Sequence, residues 1–226
     1  MSLLLALAEF RRYPKEICLT RHIVLLGDSI FDNALYVPRG ESVIEHLRRS
    51  LPNGDQATVI ALDGATVTSV FRQLERVPED ATHFVLSAGG NNALQMAINI
   101  FSQPSADIRS SLKRIAEYLS EFTAEYRKLV QDLLAMGRHL SICTVYDSVP
   151  GLDTSEIAGL CVFNDTITRT AFQYGATLID LRTICNESTD YSSISPIEPS
   201  ASGGGKIVRA IMEAISDGRE FHRVIG

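Results

Sequence analysis

The chain is predicted to be an α/β protein: a three-layer α/β/α sandwich around a parallel five-stranded sheet in the flavodoxin-like order 2-1-3-4-5. Three observations predict this. Five short apolar segments, at residues 22–26, 57–61, 83–87, 140–145 and 177–180, alternate with longer segments of helical periodicity. The first, Ile23-Val24-Leu25-Leu26, is apolar without a break, as in a strand covered on both faces. Right-handed crossovers between such strands put helices on both sides of the sheet.

The elements follow in order. Strand one ends at Gly27, and Asp28 and Ser29 fall in the turn behind it. Residues 41–50 form a helix with Val43, Ile44, Leu47 and Leu51 on one face. Pro52-Asn53-Gly54-Asp55 is a turn before strand two. Asp63-Gly64-Ala65 follows that strand, and a helix over residues 67–76 stops at Pro78-Glu79-Asp80. Strand three runs into Ala88-Gly89-Gly90-Asn91-Asn92. Residues 105–136 carry apolar side chains at 108, 112, 115, 119, 122, 126, 129 and 133. That four-three spacing predicts a helix about 45 Å long. A five-residue strand spans only about 16 Å, so this helix either breaks or overhangs the sheet. Its seam packs on its own sheet or pairs with another subunit. Asp153-Thr154-Ser155-Glu156 is a capping box opening a helix to residue 174, where Gly175 stops it. A loop rich in Ser, Pro and Asp covers 185–202, and the last helix covers 202–217 with Ile207, Val208, Ile211 and Ile215 inward.

The chain has 226 residues, 45% hydrophobic and 21% charged, enough for one substantial core and read as a single domain over 1–226. Net charge is −6 with no block of like charge, which argues against a nucleic-acid partner. Cys18, Cys143, Cys161 and Cys185 form no CxxC pair, so no zinc site is expected, and their spacing suits a reducing, cytoplasmic compartment. Residues 3–8 are apolar but short, lack a basic leader and are followed by Glu9. They read as a short helix packing on the domain, or as an oligomer contact such as a homodimer, rather than a signal or a membrane anchor. Gly203-Gly204-Gly205-Lys206 lacks the spacing of a phosphate loop and follows no strand. No metal, nucleotide or flavin cofactor is expected.

Three loops leave the same edge of the predicted sheet: Gly27-Asp28-Ser29, Asp63-Gly64-Ala65 and Gly89-Gly90-Asn91-Asn92. With strand one between strands two and three, these loops are neighbours. Ser29 Oγ is a candidate nucleophile toward a carbonyl. The Ser29 N–H, the Gly64 N–H and the Asn91 amide are candidate donors to the oxyanion that would form. Glycine at 64 leaves no Cβ to block the backbone. Asp28 and Asn92 flank these groups as candidate substrate-binding residues, although Asp28 could equally cap its turn, and Asn92 is expected to matter more for loop structure. Asp63 and Asn33 are lesser polar neighbours.

Gly27-Asp28-Ser29-Ile30, then Gly64, then Gly89-Gly90-Asn91, stand in the order and at the spacing of the SGNH, or GDSL-type, hydrolase family, which the chain resembles. The resemblance covers most of the chain, because the succession of strands and helices also matches. It implies an esterase or lipase working through an acyl-serine intermediate on a small ester or acetylated substrate. By position, Ser29 resembles the nucleophile, and Gly64 and Asn91 the oxyanion donors. Two departures stand out. The usual GxND motif reads Gly89-Gly90-Asn91-Asn92, and the closing Asp-x-x-His motif reads Ser195-Pro196-Ile197-Glu198. Glu198 occupies the place of the base. His22, His83 and His139 each precede a strand and belong to the opposite edge; His46 and His222 are no better placed. Glu198 is therefore the candidate base, with Asp190 a weaker one; alternatively Glu198 simply complements the dipole of the last helix. A carboxylate at its reference pKa gives up roughly 3 kcal/mol of proton-accepting power to an imidazole, part of which burial would restore. A relative that lacks an effective base would be weak or inactive and bind an acyl or carbohydrate ligand in the retained pocket. Acyl transfer to another alcohol shares the same intermediate.

Overall fold

The computed structural model describes residues 20–101 and 103–216. The expected helix over residues 3–8, Cys18 and His222 lie outside the described residues. Five strands, β1 (His22–Gly27), β2 (Gln56–Val59), β3 (His83–Ser87), β4 (His139–Cys143) and β5 (Thr177–Ile179), form one sheet. Their order is β2-β1-β3-β4-β5 and every pairing is parallel. This is the expected sheet order.

The unbroken apolar run of β1 serves both faces. Val24 and Leu26 point into one core with Phe84, Leu86 and Ile142. Ile23 and Leu25 point into the other with Val85 and Cys143, as the period of two along a strand requires. Helices α2 (Val67–Gln73), α4 (Ile108–Ala135) and α5 (Thr154–Tyr174) cover the first face through Val67, Val70, Tyr126, Leu129 and Phe163. Helices α1 (Val43–Ser50) and α7 (Ala201–Ala214) cover the second through Val43, Leu47, Ile207 and Ile211. The capping box at Asp153 is present, and Gly175 ends α5 in the left-handed conformation at φ 70°.

The long helix overhangs rather than breaks. At ~1.5 Å per residue α4 is about 42 Å long, and its buried residues, Phe122 to Leu133, all lie in its second half. At its start Ile108 is 80% exposed and Leu112 59%.

Three segments differ from expectation. Residues 90–101, for which no helix was expected, form α3 (Gly90–Met96) and a π-helical turn (Ala97–Phe101). Two asparagines and a glycine make weak helix formers, and only the seat of Ala93 and Met96 in the core holds the segment helical. The 185–202 loop is preceded by a one-turn helix, α6 (Leu181–Ile184), and contains a 3₁₀ turn, Ser188–Asp190. Strand β2 stops at Val59, two residues early, because the N–H groups of Ile60 and Ala61 both turn to the carbonyl of Leu25.

Among the described residues no helix is long and apolar enough to cross a membrane. Cys143, Cys161 and Cys185 are free thiols, with Cys143 and Cys185 buried. Burial raises the Cys185 thiol to about 12.

Candidate active site

Strand β1 outruns β2, so its last peptide groups need other partners. Gln73, buried on the inner face of α2, supplies them: its Oε1 accepts from the Gly27 N–H at 2.8 Å and its Nε2 donates to the Gly27 carbonyl at 2.8 Å. Gly27 itself sits at φ 123°, and a Cβ there would lie 1.6 Å from the Ser87 carbonyl oxygen. Only glycine lets β1 and β3 close at this point. The next residues, Asp28 and Ser29, are thereby fixed at the carboxyl edge of the central strand.

The three loops meet there. The Leu62 N–H donates to the Gly27 carbonyl at 3.0 Å. The Asp63 N–H donates to the Asp32 carboxylate at 3.0 Å. Asn91 Nδ2 donates to the Ala65 carbonyl at 3.0 Å. That bond uses one of its two amide hydrogens and leaves the other available. Among the described residues the N–H groups of Ser29 and Gly64 donate to no protein acceptor. Gly64 is exposed, in the left-handed region at φ 73°, with nothing within 4 Å of where a Cβ would stand.

Glu198 arrives from the segment before α7, which is folded into a narrow antiparallel loop closed by the Tyr191–Pro199 bridge. Three successive carbonyls hold it. The Tyr146 hydroxyl donates to Ile197 O at 2.6 Å, the Ser192 N–H to Glu198 O at 2.8 Å, and Asn33 Nδ2 to Pro199 O at 3.2 Å. The tethers come from the end of β4, from the loop itself and from the first site loop. Asn33 also accepts from the Val43 N–H at 3.0 Å, so one buried amide joins the start of α1 to the Glu198 loop.

This geometry brings Ser29, 8% exposed, into the neighbourhood of two carboxyls that are each 3% exposed, Asp28 and Glu198. Burial raises Glu198 to about 7, Asp63 and Asp32 push the same way, and a hydrogen bond from Ser29 pulls it down. Glu198 Oε2 has no hydrogen-bond partner among the described residues. Asp28 is likewise raised to about 7, mainly by burial, against hydrogen bonds from the Ile30 N–H (3.3 Å) and the Ser87 hydroxyl (3.1 Å).

Asp28, Ser29, Asn91 and Glu198 line one end of a pocket whose walls are α3, the π-helical turn and the start of α5. Asn92 takes another direction. Its side-chain carbonyl accepts from the Val67 N–H at 3.0 Å, capping α2 and tying the third loop to the second. Asp190 is fully buried and holds Lys206 Nζ at 2.8 Å, which places it in the support of the loop. The glycine run before Lys206 lies inside α7, where a Cβ on Gly203 would stand 2.1 Å from the Asp190 carbonyl oxygen. It serves close packing, and no phosphate loop is formed.

The imidazoles among the described residues are elsewhere. His22 lies between Asp80 and Thr58 at the start of β1. His83 and His139 stack 4.9 Å apart at the starts of β3 and β4, about 16 Å down the strands from the site. His46 faces Glu41 at 3.1 Å on α1.

Sequence reasoning passed over Gln73, Ser87, Tyr146 and Asn164, and gave Asn33 only a lesser part. Asn164 clamps the Val145 peptide at the end of β4, through two bonds of 2.8 Å, as Gln73 clamps Gly27. The available signal was a lone amide on the apolar face of a helix, between Val70 and Leu74 for Gln73 and between Phe163 and Ile167 for Asn164.

A parallel α/β/α sandwich with a serine behind its first strand defines the class: the chain has the SGNH/GDSL hydrolase fold, as solved structures of similar shape show. The acetyl xylan esterase AlAXEase superposes with a TM-score of 0.67 at 14% identity, covering 86% of this chain and 100% of that one. A member of the lipolytic G-D-S-L family from Veillonella parvula gives 0.65 at 17%, covering 87% and 98%. An extracellular lipase from Streptomyces rimosus gives 0.63 at 18%, covering 86% and 100%. No protein-family model and no curated protein sequence matches the chain.

Proposed function

We propose that the protein is a serine ester hydrolase that uses Glu198 in place of the usual histidine base. The observation that carries this reading is that Ser29 and Glu198 line one pocket, with Glu198 buried there and its carboxyl pushed up to about 7. A reference carboxylate near 4.3 is too weak a base, whereas one near 7 matches an imidazole near 6.5. Burial thus supplies the proton-accepting power that the residue type lacks.

In the proposed sequence Ser29 Oγ attacks the ester carbonyl carbon while its proton passes to Glu198. The carbonyl oxygen becomes an oxyanion facing the Ser29 N–H, the Gly64 N–H and the free hydrogen of Asn91. The C–O bond to the alcohol then breaks, and Glu198 returns the proton to the departing oxygen. Water repeats the cycle on the acyl-serine, giving the carboxylic acid and free Ser29. The hydroxyl of Ser87 and the N–H of Ile30 hold Asp28 beside the nucleophile, where the charge of Glu198 adds to the burial that raises Asp28.

Ser29→Ala is the direct test. Hydrolysis of p-nitrophenyl acetate is expected to fall to the solvent background, and unchanged turnover would end the reading. A second reading draws on the absence of any imidazole at Ser29 among the described residues: a weak or inactive relative that binds an acyl or carbohydrate ligand. Rapid labelling of Ser29 by a fluorophosphonate separates the two, since only an activated hydroxyl reacts quickly. Acyl transfer to an acceptor alcohol is read by product analysis with competing alcohols.

A further inference from the structure

The two sides of Ser29 differ in chemistry. On one stand Asp32, Asp63 and the Tyr36 hydroxyl, which donates to Asp63 at 2.6 Å. On the other the pocket opens between α3 and α5, with Leu94, Met96, Phe101, Leu152, Leu160 and Ile197 among its walls. Its polar groups, Asp28, Ser29, Asn91 and Glu198, belong to the site described above; of the rest only Glu156, at the first turn of α5, carries a charge. The space open to the centres of water-sized groups is about 90 Å³, room for roughly six to nine such groups at ~10–15 Å³ each.

Size and lining together favour an occupant longer than an acetyl group. Acetyl's three heavy atoms would take up about half of that space or less at ~10–15 Å³ each. The remainder would be water against hydrocarbon, which gains nothing from the walls. Leu94, Phe101 and Ile197 are also partly exposed, so the apolar wall continues to the surface. Gly159 keeps it open: a Cβ there would lie 2.9 Å from Phe101 Cζ and 3.5 Å from Met96 Cε.

We propose that this pocket takes the acyl half of the substrate, and that the acyl group is an unbranched hydrocarbon chain of about six to eight carbons. The inference rests on the serine-hydrolase reading. The acyl half is the part that stays on the enzyme while alcohol leaves and water enters. Departing alcohol and entering water both need polar surroundings, which Asp32, Asp63 and Tyr36 supply on their side of Ser29. The retained chain is left with the apolar side.

The test is kcat/KM across p-nitrophenyl esters from acetate to decanoate, with octyl acetate beside them. About 0.8 kcal/mol per buried methylene corresponds to a rise of about fourfold per methylene. The full value is an upper bound, so a gain of at least tenfold from acetate to hexanoate or octanoate is expected, with none for octyl acetate. Gly159→Leu is expected to move the optimum to shorter chains, and Leu94→Glu, at the partly exposed rim, to reduce the octanoate-to-acetate ratio several-fold. Binding to Ser29→Ala supplies a readout that needs no turnover: octanamide is expected to bind at least tenfold tighter than acetamide. A flat or falling profile, or a gain for octyl acetate instead, overturns the acyl assignment while fluorophosphonate labelling of Ser29 leaves the hydrolase reading standing. If no ester is turned over and Ser29 stays unlabelled, the hydrolase reading fails; equal binding of the two amides then removes the chain pocket as well.

Discussion

At the scale of single residues, Ser29 and Glu198 take their proposed chemistry from burial. Glu198→Gln keeps the shape of the side chain and removes the base. Activity is expected to fall by 10²–10⁴-fold, as for loss of a positioned general base, measured as kcat/KM on any ester the wild type turns over. In the wild type the same quantity should rise with pH through about 7, where Glu198 ionises. Stability should move the opposite way. The folded-state pKa lies above the unfolded one, so the folded protein binds more protons between about 4.5 and about 7. The favourable contribution is complete at the acid end of that window and is lost as pH rises through it. The loss is on the order of 3 kcal/mol for Glu198. Denaturant midpoints at pH 5 and pH 8 should therefore differ less in Glu198→Gln than in the wild type. An equal pH dependence in both would show that the carboxyl is not the group responsible.

Loops and helices position these residues by satisfying backbone groups that the strands leave over. Gln73 and Asn164 close the ends of β1 and β4, and Asn33 with Tyr146 anchors the carbonyls on either side of Glu198. Asn33→Ala unties the loop from α1 and strands the Val43 N–H and the Pro199 carbonyl. Each stranded group costs about 1–3 kcal/mol, so a fall of a few kcal/mol in unfolding free energy is expected by urea titration. If Asn33 acts through Glu198, the midpoint of the pH–rate profile should shift as well. A merely structural role would lower stability and leave that midpoint where it was. Asp190 works at the same scale: with Lys206 and the close-packed Gly203 it fixes the loop base against α7.

Across the whole molecule, the sheet supplies a rigid frame and α4 extends past it. Ile108 and Leu112 stand largely in solvent at the overhanging end. Their replacement by glutamate is expected to leave the thermal midpoint within about 2 °C, since exposed positions contribute within about 0.5 kcal/mol. A larger fall on calorimetry would show that they are covered in solution, as the homodimer seam considered from the sequence would require. The sheet order, both apolar faces, the capping box at Asp153 and the convergence of the three loop segments were legible in the chain. Each depends on neighbours close in sequence or on a fixed period. The seam of α4 was legible too, but not that only its second half is buried, because the sheet's extent sets that. Helix α3 was hidden, since its glycine and asparagines favour a turn and only the core seat of Met96 outweighs them. What the sequence alone determined is the frame and the position of the hydroxyl at its edge, because strand and helix periods are written locally. That Glu198 comes into the same pocket as Ser29 and is buried enough to rise to about 7 was decided by tertiary structure. A pKa is a property of the surrounding medium, and that medium is assembled from Asn33, Tyr146 and Ser192, which the chain brings together only on folding.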